Sequence, residues 1–116
     1  MINGAHVVVY SADADSDRDF FRDVLGFAHV DAGGGWLIFK LPPAEMALHP
    51  TEGDPSHEMF LMCDDVEATM AELAAAGVEC TRPVSEERWG LVTSFRLPGG
   101  GRVGLYQPLH PTGRDL

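Results

Sequence analysis

The stretch Ala5-His-Val-Val-Val-Tyr10, with the polar and then apolar residues that run on to Gly26, returns 51 residues later as His57-Glu-Met-Phe-Leu-Met-Cys63 running on to Gly77. At that one offset His6 matches His57, Asp13 matches Asp64, and Gly26 matches Gly77. Each copy opens on an apolar or β-branched run that reads as a strand. Carboxylates suited to a helix N-cap follow, then an apolar stripe, then a glycine where a helix end favours a left-handed residue. Phe20, Phe21, Val24 and Leu25 make the first stripe, and Val66, Met70 and Leu73 make the second.

Outward from these openings, 27–31, 36–41 and 45–49 read as short strands, separated by Gly33-Gly34-Gly35 and by Pro42-Pro43. The second copy supplies strands over 78–80, 90–97 and 103–107, the last two joined by Pro98-Gly-Gly-Gly101. Those glycines lie between strands with no helix start behind them, so they read as a hairpin turn and not as a phosphate loop. The chain is therefore an α+β protein of tandem βαβββ modules with eight strands and two main helices. Module 1 covers about 1–50, the linker 51–56, module 2 57–108 and the tail 109–116. Each helix has one apolar stripe and is expected to cover one sheet.

At 116 residues the chain holds a single domain, or two small halves sharing one core. With 45% hydrophobic and 22% charged residues it buries a core without disulfide staples. A formal charge of -10 disfavours nucleic acid and anionic lipid and favours neutral or cationic partners. No apolar run reaches the roughly 20 residues of a membrane span. Cys63 and Cys80 form no CxxC motif and no basic-then-apolar leader precedes them, so a reducing cytoplasm is the expected setting. The acidic run Asp13, Asp15, Asp17 and Asp19 is expected to be a solvated helix cap.

Four segments together carry a resemblance: His6-Val-Val-Val-Tyr10, Asp19-Phe-Phe-Arg-Asp-Val-Leu-Gly-Phe27, 57–64, and Leu97-Pro-Gly-Gly-Gly-Arg-Val-Gly-Leu-Tyr-Gln-Pro108. In them the chain resembles the vicinal oxygen chelate superfamily of glyoxalases, extradiol dioxygenases, fosfomycin-modifying enzymes and bleomycin resistance proteins. The resemblance implies curved mixed sheets around a concave cavity, commonly in a homodimer. It also implies metal ligands on the first and last strand of each module. His6 and His57 match two of those positions, but Ala47 and Gly104 occupy the other two, and Gly104 stands where the metal enzymes carry a glutamate.

On the fourth strand Glu45, Ala47 and His49 share a face, which makes His49 the first candidate for a displaced third ligand, ahead of Glu45. Tyr10, Trp36, Trp89, Phe95 and Tyr106 are the aromatic residues able to line a cavity, with core packing as their alternative role. The resulting expectation is a metal-free or noncanonical superfamily protein that binds a small organic molecule and sequesters a cationic or aromatic compound. The alternative is a divalent-metal-dependent lyase or dioxygenase in which His6 and His57 hold the ion that stabilises a substrate oxyanion. The expected cofactor is none, or a weakly held zinc, iron, nickel or manganese ion. No catalytic residue is assigned, and enzyme and binding protein both stay open.

Overall fold

The computed structural model describes every residue of the chain except Ile2. Helix α1 (Ala14–Asp19) starts at Asp13, whose carboxylate accepts the Ser16 N–H at 3.2 Å and its hydroxyl at 2.8 Å. It widens at once into a π-helical turn, Phe20–Val24. Gly26, at φ +69°, ends it, and the Phe27 N–H reaches back to the Phe21 carbonyl at 3.0 Å.

Helix α2 (Val66–Ala75) ends in the same way at Gly77, φ +83°, where the Val78 N–H meets the Leu73 carbonyl at 2.9 Å. The closing bond in the first copy spans one residue more than in the second. The π turn accounts for the difference.

Strands β1 (His29–Asp31) and β2 (Leu37–Phe39) form an antiparallel hairpin around the glycine run. Strands β3 (Phe60–Met62), β4 (Ser85–Glu87), β5 (Gly90–Arg96) and β6 (Arg102–Pro108) form a second, mixed sheet in the order β3-β6-β5-β4. Within it β3 and β6 are parallel, and β6 and β5 form the hairpin closed by 98–101. The two sheets are open, and the class is α+β as the sequence implies.

One core joins these parts. Phe20, Phe21, Val66, Leu73, Phe95, Leu97, Val103 and Leu105 pack in a single buried cluster. Adjacent residues of a helix diverge by about 100°, and here the two phenylalanines divide the work. Phe20 meets Phe95 of β5 at 6.0 Å between centroids, while Phe21 meets Phe27 and Phe39 at 5.5 and 5.8 Å. One helix therefore ties both sheets together, which corrects the expectation of one helix for each sheet.

Six strands are present among the described residues, where eight were expected. The expected strands at 5–10 and 45–49 pair with nothing, and Val8, Tyr10, Met46 and Leu48 stand exposed on them. β-propensity favours an extended backbone but does not by itself bring a segment to a sheet edge. The expected strand at 78–80 is reduced to a single bridge between Cys80 and Phe95, and β4 is a strand that the sequence pattern did not reveal. Among the described residues no helix is long and apolar enough to cross a membrane.

Candidate functional site

Period-two alternation along β6 fixes what each face of the second sheet carries. Val103 and Leu105 point into the core, and the Gln107 Oε1 accepts the Val66 N–H at 3.1 Å, which pins the start of α2 to the sheet. Gly104 and Tyr106 take the other face, as the sequence spacing requires. The parallel register sets Phe60 beside Gly104 and Met62 beside Tyr106.

The Phe60 ring lies over Gly104. A Cβ built on that glycine would overlap the ring edge and sit 2.9 Å from the ring's Cγ, far inside contact distance. Gly90 on β5 has the same role under Tyr106, where a Cβ would lie 2.9 Å from Cδ2 of the phenol ring. These two glycines leave room for the Phe60 and Tyr106 rings to pass close over the backbone.

Phe60, Trp89 and Tyr106 then meet edge to face, pair by pair. Their centroids are 6.0 Å apart for Phe60 and Trp89, 5.8 Å for Phe60 and Tyr106, and 5.1 Å for Trp89 and Tyr106. His49 approaches Trp89 edge-on at 6.5 Å, and His110 stacks on Tyr106 at 6.0 Å. Tyr106 is buried, while Phe60 is 36% exposed and Trp89 half-buried. The cluster is an aromatic platform with one polar end.

That end is built by Glu45, Tyr106 and His110. His110 Nδ1 is 2.7 Å from the Pro111 carbonyl, which can only accept, so Nδ1 carries the proton and Nε2 of the neutral ring is an acceptor. The Tyr106 hydroxyl donates to it at 3.2 Å. Glu45 accepts the Arg114 N–H on Oε1 at 3.2 Å and brings Oε2 to 3.8 Å from His110 Nε2. Burial, together with the Glu45 charge and a hydrogen bond to Glu45, holds the Tyr106 phenol above its ordinary pKa, against a smaller opposing effect of Arg114.

Of the aromatic residues picked out in the sequence, Trp89 and Tyr106 belong to the platform. Phe95 does not, because it is fully buried against Phe20 on the opposite face of the sheet. Tyr10 is 93% exposed on the unpaired segment, and Trp36 lies under the Arg18 guanidinium at 4.5 Å. Phe60 and His110 were missed. The signal for Phe60 was Gly104 itself, a glycine in mid-strand that leaves room for a neighbouring ring.

His6 and His57 are exposed, and His49 sits by Trp89. Among the described residues no three His, Cys, Asp or Glu side chains come together as a donor set for a metal ion. A carboxylate at 104 would have to displace Phe60. The residues present therefore do not fit a resident metal held by the first and last strands.

The family profile for the Glyoxalase/Bleomycin resistance protein/Dioxygenase superfamily matches residues 4–105. No curated protein matches the chain. Among solved structures the chain is similar to TnmS3, an antibiotic binding protein from Streptomyces sp. CB03234, with 27% identity, 93% of this chain and 99% of that one covered, and a TM-score of 0.62. It is also similar to a glyoxalase/bleomycin resistance protein from the same organism, with 28% identity, coverage of 85% and 95%, and a TM-score of 0.58. Lactoylglutathione lyase from Agrobacterium tumefaciens shares the fold at 19% identity, with coverage of 97% and 95% and a TM-score of 0.63.

Proposed function

The chain belongs to the Glyoxalase/Bleomycin resistance protein/Dioxygenase superfamily, and from that membership we propose that it binds a flat organic molecule on the Phe60–Trp89–Tyr106 platform and sequesters it unchanged, without a metal ion. The observation that carries this reading is the Phe60 ring seated on Gly104. It puts an aromatic surface where the family's metal enzymes need a carboxylate. Stacking and cation–π contacts on such rings contribute about 0.5–2 kcal/mol each, in addition to the apolar area that the ligand buries. The antibiotic binding protein TnmS3, similar over nearly the whole chain, lends support.

The test is titration with naphthylmethanol, read by fluorescence of Trp89 in a Trp36→Phe background, with the ligand recovered afterwards by chromatography. Saturable quenching that is weakened in Phe60→Leu, where the Trp89 reporter is kept, with the ligand recovered intact, supports the reading. The competing reading is a lyase or dioxygenase built on His6 and His57. Turnover of an α-ketoaldehyde–thiol adduct that depends on added divalent metal and disappears in His57→Ala would establish it and overturn sequestration.

The same proposal includes a homodimer. Val7, Val8, Val9 and Tyr10 on one unpaired segment and Met46 and Leu48 on another are exposed apolar residues, a surface that isolated soluble chains rarely leave open. A second copy supplies the missing edges.

A further inference from the structure

The polar end of the platform has more acceptors than donors. With the imidazole neutral, Glu45 Oε2 and His110 Nε2 are both acceptors, and the side-chain proton beside them is the Tyr106 hydroxyl, 3.2 Å from His110 Nε2. The His110 Nδ1 proton is committed to the Pro111 carbonyl, and Glu45 Oε1 is committed to the Arg114 N–H. In that state His110 Nε2 and Glu45 Oε2, 3.8 Å apart, share no hydrogen bond.

The side chains of His110 and Glu45 are 28% and 21% exposed, so both are open in part to a ligand. A partly buried carboxylate beside aromatic faces attracts a positive charge, and an ammonium group offers the three N–H donors that the cluster lacks. Neutral and anionic groups offer fewer donors or the wrong charge.

We propose that Glu45, His110 and Tyr106 form an anchor for a protonated amine, and that the preferred ligand carries an ammonium group one or two bonds from a flat ring packed against Trp89. The inference rests on the platform reading and specifies the chemistry of one end of that site. The Arg114 guanidinium has a counter-charge of its own in Asp115, 3.9 Å away.

The experiment compares naphthylmethylamine with naphthylmethanol, which share a ring and differ in the charged donor, by Trp89 fluorescence in the Trp36→Phe background. The amine is expected to bind at least tenfold more tightly. In Glu45→Gln that ratio is expected to fall to within about twofold of unity, a readout independent of any general weakening. If Glu45→Gln fails to fold, the same ratio is followed in the parent protein from low to high salt, where it must shrink as an ion pair is screened. Equal binding of the two probes, or a ratio unmoved by both Glu45→Gln and salt, overturns the anchor and leaves the platform standing. Binding of neither probe overturns both.

Discussion

The Asp17 carboxylate accepts the Gly99 N–H at 2.7 Å, joining two residues 82 positions apart and locking the first helix to the hairpin of the second module. Asp17 is buried, and its second oxygen has no partner. Gly99 has no room for a side chain, since a Cβ would strike the Ser11 hydroxyl and lie 2.8 Å from Asp17 Oδ2.

Gly99→Ala is therefore expected to destabilise the chain by about 1–3 kcal/mol through overpacking. Asp17→Ala should cost a similar amount, about 1–3 kcal/mol, by leaving the Gly99 N–H without its charged acceptor. Denaturant unfolding of both variants and of the double variant checks this. Because both substitutions break one contact, their effects should add to less than the sum.

Gly104→Ala should likewise cost about 1–3 kcal/mol, because the new methyl collides with the Phe60 ring. Phe60→Leu should recover much of the loss in the double variant. A purely additive cycle would show that the ring does not lie on the glycine.

Tyr106 is expected to titrate above the ordinary phenol value of about 10, with burial as the main cause. The folded state then holds the phenol proton more tightly than the unfolded chain. The stability this contributes is fully present below pH ~10 and is lost as the pH rises through the higher folded value. Absorbance titration of the parent against Tyr106→Phe, followed by urea unfolding at two alkaline pH values, gives both the midpoint and the sign.

Burial raises the thiol pKa of Cys63 and Cys80, and for Cys63 the charges of Asp64 and Asp65 add to the effect. Both are free thiols. Each should react with a disulfide reagent at pH 8 several-fold more slowly than free cysteine, because less thiolate is present. Rapid stoichiometric labelling of the native protein would contradict this.

Val8→Lys should convert the proposed dimer to a monomer, because a lysine on an extended edge blocks strand addition. Light scattering at micromolar concentration decides. A parent protein already monomeric there removes the dimer.

Much of this architecture was legible in the sequence because it is local. Gly26 and Gly77 end their helices at positive φ, Asp13 caps the first helix, and the glycines at 99–101 make the hairpin turn, all set by residues close in sequence. The site was only half legible. Trp89 and Tyr106 could be picked by residue type, but Phe95 sits one alternation away from the platform and falls in the core. Asp17 looked like one more capping carboxylate in an acidic run, and only the return of the chain 82 residues later makes it an inter-module contact. His110 and Glu45 meet through the tail and an unpaired segment, a closure that neither periodicity nor spacing encodes.

The Phe60 ring over Gly104 also constrains the order in which this sequence can change. A glutamate introduced at 104 alone meets an occupied volume, and a smaller residue at 60 alone strips the platform while leaving no carboxylate in its place. A metal-binding descendant would have to change 60 before 104, passing through a form that does neither job well.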